Sequence, residues 1–290
     1  MSHSGKDVDQ HSGTETTGHE WDGIKELNTP LPRWWLGIFY ACIAWAIGYW
    51  ILMPSWPLLH TYTHGLLNHS QRDDVTDAVR ALQTARAGKE HALSKANLEQ
   101  IQNNPDLLQF AMAEGKAAFG DNCAPCHGSG AQGGHGYPNL NDDVWLWGGK
   151  LEDIQHTITV GVRSTDPNTR ESQMPSFGRD GILKASQIDD LTEYVVHLSG
   201  RPADGKATTR AAKVFAQNCA MCHGPAGQGN RQMGAPNLTD KEWLYGPTRA
   251  DIHDQIWNGH GGVMPTWGGR LSPETIKSLA VYVHSLGGGE

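Results

Sequence analysis

The chain has 290 residues, enough for a membrane anchor and about two domains at roughly 100–200 residues each. It carries 23 Lys and Arg against 31 Asp and Glu, which argues against nucleic acid as a partner, because phosphate binding needs a basic face. Glycine is abundant, at 35 residues, as expected where backbone must pass close to a bulky ligand.

Residues 1–32 form an N-terminal segment. Its first 20 residues are rich in Ser, Thr, His and Gly and poor in apolar side chains, so partial disorder is expected. No charged stretch leads into a short apolar run with a cleavage site, so no signal peptide is expected. Residues 33–54 are predicted to be a transmembrane helix. The run from Trp34 to Met53 is uncharged and about 20 residues long, the length that crosses the ~30 Å hydrocarbon core. Trp34, Trp35, Trp50 and Trp56 sit near its ends, where an aromatic belt belongs. Lys25 and Arg33 precede the span, and only Arg72 follows within about 20 residues, which favours a cytoplasmic N-terminus and an exported remainder. Cys42, alone in the run, reads as a small hydrophobe.

Residues 55–110 read as a connector. From about residue 72 its composition of Ala, Leu, Gln, Lys and Arg favours helix, as a docking arm or a tether. His60, His64 and His69 read as solvated or interfacial residues.

The rest is an internal duplication. PNLNDDVWLW from Pro138 matches PNLTDKEWLY from Pro236, DIQHTITVG from Asp153 matches DIHDQIWNG from Asp251, and MPSFG from Met174 matches MPTWG from Met264. Each copy has the order helix, Cys pair, glycine-rich loop, Pro-Asn-Leu, helix, Met-Pro, helix. The expected fold is all-α: two tandem helical domains, residues 111–200 and 201–290, joined near GRPADGKATTR.

Each copy holds Cys-x-x-Cys-His: Cys123, Cys126 and His127, then Cys219, Cys222 and His223. Residues three apart share a face of a helical turn, so two thiols can meet the two vinyl groups of one haem while the next residue offers an imidazole. This is the c-type haem attachment signature. A Cys₄ zinc site spaces its pairs about 15–20 residues apart, and a redox dithiol expects a βαβ setting, so both fit less well. Simple disulfides would leave the histidines and methionines unexplained. Met174 and Met264 are the expected second axial ligands, since both precede proline in glycine-containing loops; Met/His ligation raises the haem potential. Two protein ligands per iron predict electron transfer rather than oxygen chemistry, hence a non-catalytic chain.

A ligating histidine normally donates its other ring N–H to a neighbouring acceptor. Pro138 and Pro236 can offer only carbonyls and are the expected acceptors, while Asn139 and Asn237 are expected to satisfy nearby backbone. The recurring aromatics Trp145/Trp243, Phe177/Trp267 and Tyr194/Tyr282 read as packing. Residues 111–200 carry 6 Lys and Arg against 12 Asp and Glu, and residues 201–290 carry 9 against 7. The first domain is therefore expected to meet a basic electron donor.

With WDGIKELNTPLPRWW ahead of the span and Asn28, Pro30, Pro32, Trp34, Trp35 and Tyr40 around its start, the chain resembles subunit III of the cbb3-type cytochrome c oxidases, the CcoP/FixP family. The resemblance implies cytochrome c-like domains with two covalently attached haem c groups, on Cys123 and Cys126 and on Cys219 and Cys222. It implies His127 with Met174, and His223 with Met264, as axial pairs. It also implies the other oxidase subunits as partners, with electrons taken from a cytochrome c or a cytochrome bc complex. They would pass to a monohaem membrane subunit and the haem–copper subunit of a complex that pumps protons. The location implied is the bacterial inner membrane, with the haem domains on the periplasmic side where haem is attached. Other readings are a membrane-anchored dihaem cytochrome of another respiratory system, and a dihaem peroxidase or sensor, which needs an open axial position.

Overall fold

A computed structural model describes residues 7–290, and the chain divides between Gln83 and Thr84 into two compact units. The expectation of disorder over the first residues falls partly outside the described chain. From Asp7 onward it is corrected: strands β1 (Thr16–Trp21) and β2 (Ile24–Leu27) pair antiparallel, with Trp21 opposite Ile24. Gly18 and Gly23, both at positive φ, allow the irregular register and the turn. The helix α1 (Arg33–Leu52) is the candidate membrane span, and none of its residues is buried. After it the backbone folds back. Leu66 and Leu67 donate their N–H groups to the carbonyls of Ile51 and Leu52 at 2.9 and 3.0 Å, satisfying acceptors that a helix end leaves open.

The second unit is all-helical. The expected continuous connector helix is broken twice. Helix α2 (Gln71–Lys95) stops ahead of α3 (Leu98–Asn103), whose capping box joins Asn97 and Gln100. Helix α4 (Pro105–Asn122) then restarts, with the Asn104 side chain accepting from Asp106 and Leu107 and Pro105 in the first turn. The expected boundary at residue 110 therefore falls inside α4. Leu93, Leu98 and Ile101 are buried in the same core as α4, so the end of the connector is docked rather than loose.

The remaining helices are α5 (Ala124–His127), α6 (Leu151–Val160), α7 (Ala185–Leu198), α8 (Gly205–Asn218), α9 (Ala220–His223), α10 (Arg249–Asn258) and α11 (Pro273–His284). They do not pack repeat by repeat. Helix α4 crosses α11, the last helix of the second repeat, and α6 packs on α11 as well. Helix α8 crosses α7, the last helix of the first repeat, and α10 packs on α7. The first core joins Phe119, Ile154 and Ile158 to Leu279 and Val281; the second joins Ile188 and Leu191 to Phe215 and Ile252. Each buried side chain of this kind contributes about 1.5–3 kcal/mol, so the exchange decides which halves hold together. The two sequence repeats thus build two helical lobes by trading their C-terminal thirds. The second lobe is a continuous stretch, from the Met174 loop to α10. The first lobe closes around it with residues from both ends of the unit.

Candidate haem sites

The two attachment motifs are set identically. Helices α4 and α8 end at Cys123 and Cys219, and single turns α5 and α9 then carry the second cysteine and the histidine. Gly128 and Gly224, at φ of 82° and 79°, end these turns. His127 Nδ1–H donates to the Pro138 carbonyl at 3.0 Å, and His223 Nδ1–H donates to Pro236 at 3.0 Å. A carbonyl can only accept, so the proton sits on Nδ1 and Nε2 is left as a lone-pair donor, as expected for a metal ligand. Burial lowers both histidine pKa values against a smaller opposing push from these hydrogen bonds, which keeps the rings neutral. Burial, helped by the neighbouring cysteine, pushes the Cys123 and Cys219 thiols up to about 11. Asn139 Oδ1 accepts from Asn141 N and Asn237 Oδ1 from Thr239 N, the backbone support expected of both.

The methionines are where the expectation fails. Met264 lies with Cys123 and Trp267 against the first core, and Met174 lies against the second. Backbone pairing fixes this. Val162 N donates to Met264 O at 2.9 Å, and Met264 N returns a bond to Val162 O at 3.0 Å. In the other half, Gly178 N and Arg179 N donate to Trp257 O, and Ser176 Oγ donates to Asn258 O. Each Met-Pro loop is therefore held by the end of the other repeat's second helix, α6 or α10. The pairs expected are His127 with Met174 and His223 with Met264, whereas the structure sets Met264 beside the first motif and Met174 beside the second. The reason is the helix exchange: the chain after Gly161 leaves the lobe that holds His127.

The second lobe contains an apolar cleft of about 1410 Å³, its open mouth included. Cys219, Cys222 and His223 line it together with Met174, and Phe177 and Leu191 are among its apolar lining. Gln255 Nε2 points at Met174 Sδ from 3.7 Å. Two thiols, an imidazole and a thioether facing one apolar cleft are the donor set that a covalently held haem with His/Met ligation requires. Sequence reasoning missed three further residues of this cleft. Trp147 and Tyr245 occupy matching positions in the repeats and reach across the lobe boundary. A side chain at Gly234 would meet the Trp147 ring at 2.2 Å, and one at Gly136 would meet Tyr245 at 3.4 Å. Arg163 is the third. Its signal was a length difference: twelve residues separate Gly161 from Met174, but four separate Gly259 from Met264.

Residues 13–60 match the N-terminal domain of cytochrome oxidase-cbb3, FixP; residues 112–199 match cytochrome c; and residues 206–283 match cytochrome c oxidase, cbb3-type, subunit III. The chain is 56% identical over 285 residues to the cbb3-type cytochrome c oxidase subunit FixP of Bradyrhizobium sp. (strain ORS 278), covering 98% of each chain. It is 50% identical over 292 residues to subunit CcoP of Azospirillum brasilense, covering 98% of this chain and 99% of the relative. Subunit CcoP of Cereibacter sphaeroides is 51% identical over 276 residues, covering 95% of each. With its membrane-anchoring helix and its two cytochrome c domains, the chain belongs to the FixP/CcoP family, the electron-transfer subunit III of the cbb3-type cytochrome c oxidases.

Proposed function

We propose that the chain carries two covalent haem c groups with crossed axial ligation and conducts electrons without catalysing oxygen chemistry. The first haem would be held by Cys123 and Cys126 together with His127 and Met264. The second would be held by Cys219 and Cys222 together with His223 and Met174. When bound, each haem supplies a one-electron Fe(III)/Fe(II) couple. The protein's part is to fill both axial positions, to hold each imidazole through Pro138 or Pro236, and to keep water out with the two apolar cores. An iron with two protein ligands has no place for oxygen, which is the ground for a non-catalytic role. The single observation that carries the crossed assignment is the reciprocal backbone clamp between Val162 and Met264 and between Trp257 and the Met174 loop.

The test removes one haem first. In a Cys123→Ala/Cys126→Ala chain, only the second haem remains. Adding Met174→Ala should then give a carbon monoxide-binding spectrum, and adding Met264→Ala should not. The reverse outcome would restore pairing within each repeat.

The electron donor is a basic cytochrome c or a cytochrome bc complex, and the electrons leave to the other oxidase subunits. Support comes from charge. The first lobe (residues 111–160 with 261–290) carries 4 Lys and Arg against 8 Asp and Glu, whereas residues 161–260 carry 11 of each. The exchange thus leaves the acidic character on the lobe of the first haem. Donor association, followed by stopped flow, should slow steeply as salt is added; a rate indifferent to salt removes this assignment. Lys25 and Arg33 ahead of the span support a cytoplasmic N-terminus, and covalent haem attachment supports a periplasmic location for both lobes.

A further inference from the structure

The loop between Gly161 and Met174 has no equivalent of its length in the second repeat, and the helix exchange delivers it to the second haem's cleft. It brings two arginines. Arg170 stays with its own half. Its guanidinium lies 5.4 Å from the Trp147 ring centre, and it bonds Thr157 Oγ1 and Asp153. Arg163 lines the cleft itself. Its Nε donates to Gly262 O and its Nη1 to Ser172 O, both at 2.6 Å, so the head group is fixed to two backbone points on opposite sides. Gly262 is held in turn by a bond from its N–H to Tyr245 Oη at 2.9 Å.

Three facts set Arg163 apart. It stands at φ 50°, the left-handed region that costs a non-glycine residue about a kcal/mol or more. It is half-buried, and burial pushes its pKa down. Among the described residues no carboxylate pairs with it, and its Nη2 makes no hydrogen bond. The carboxylates nearest the cleft are otherwise placed. Asp251 is occupied in capping α10 through Thr248, and Glu242 is exposed to solvent. A half-buried guanidinium held rigidly over an apolar cleft, with one nitrogen free, calls for an anion from the occupant of that cleft. Counted from Gly161 and Gly259, the matching residue of the second repeat is Gly261, whose backbone lies under Arg163 itself.

We propose that Arg163 is the counter-ion for a carboxylate side group of the second haem, and that this residue, delivered by a loop whose length the second repeat does not match, makes the second haem the higher-potential of the two. This rests on the reading that Cys219 and Cys222 hold a haem. A cation beside the haem's anionic groups favours the reduced iron, because reduction removes positive charge from the centre. Electrons arriving at the acidic first lobe would then run downhill into the second haem. Arg163 is a positioning residue, acting on the couple through its charge.

The experiment uses the assembled oxidase with Arg163→Gln or Arg163→Lys. An optical redox titration should resolve two haem c components, and the one that moves in a Met174→His chain is the second haem. Arg163→Gln should lower the potential of that component and leave the other unchanged, while Arg163→Lys keeps most of it. In resonance Raman spectra both substitutions should shift the propionate-bending band of one haem; the lysine variant, which keeps charge, reports this even if the glutamine chain fails to assemble. Equal movement of both components, or no movement of potential or band, overturns the proposal. Failure of the underlying reading looks different: a Cys219→Ala/Cys222→Ala chain would stain for covalent haem as strongly as the parent chain.

Discussion

Gly161 and Gly259 show how single residues fix the exchange of the two Met-Pro loops. They occupy the same place at the ends of α6 and α10, at φ of 73° and 62°. A β-carbon at Gly161 would stand 2.4 Å from Met264 O, and one at Gly259 would stand 2.4 Å from Met174 O. Neither backbone neighbour can give way without moving its methionine. Alanine at either position combines a strained φ with a main-chain clash, a destabilisation of about 1 kcal/mol or more. The effect should be selective. Gly161→Ala should loosen Met264 and let carbon monoxide reach the haem on Cys123 and Cys126. Gly259→Ala should do so for the haem on Cys219 and Cys222. Carbon monoxide difference spectra of chains that retain a single attachment motif read out which haem has opened. An effect on the opposite haem in either case contradicts the crossed clamps.

At the scale of elements, the two lobes use one helix crossing twice. Gly115 lets α4 approach α11 so closely that a β-carbon there would lie 2.3 Å from Ser278 O, and Phe119 packs on Tyr282 with ring centres 5.5 Å apart. In the second lobe Ala211 and Phe215 play these parts, with Tyr194 at 5.0 Å from Phe215. The paired aromatics were legible as packing. Their partners were not, because Tyr194 and Tyr282 are interchangeable in pattern and only the crossing shows which helix each one joins. The loops after the two Pro-Asn-Leu turns add a pH term. Asp142 and Asp240 are both held above the ordinary carboxylate range, first by burial and then by repulsion from acidic neighbours; Asp142 and Asp143 act on Asp240, and Glu242 and Asp143 on Asp142. Asp240 Oδ2 also lacks a hydrogen-bond partner. The folded state therefore binds these protons more tightly than the unfolded chain does. Stability is lost as pH rises from the ordinary carboxylate value through the raised one. Asp240→Asn should raise the melting temperature at pH 7, by an amount equivalent to at most about 1 kcal/mol for so open a site. The gain should vanish below about pH 3, where the carboxyl is protonated in folded and unfolded chains alike; a gain that is the same at both pH values would mean the charge is not its cause.

For the molecule as a whole, the sequence carried the parts list and hid the assembly. The span was legible because an uncharged apolar run has one common use, and the attachment motifs because thiol spacing is dictated by the ligand. The exchange was illegible because a repeat predicts equivalent contacts, and α4 against α11 is equivalent in pattern to α4 against α7. Only the long loop after Gly161, twelve residues against four, marked where the chain crosses over. This difference can be tested at the linker between the repeats. A protease site placed between Gly200 and Ala203 would cut ahead of Asp204, which caps α8 through Lys206 N at 2.8 Å. Domains packed repeat by repeat would be free to part after cleavage, each with one haem. Exchanged lobes keep α4 bound to α11 and α7 bound to α8, and the Val162–Met264 backbone bridge spans the cut. Both apolar cores lie across it, and at about 1.5–3 kcal/mol for each fully buried side chain they outweigh the loss of one covalent link. The cleaved fragments should therefore co-elute from a sizing column in native buffer and separate only in denaturant, each then staining for one covalent haem. Separation in native buffer would show that the repeats, and not the lobes, are the folding units.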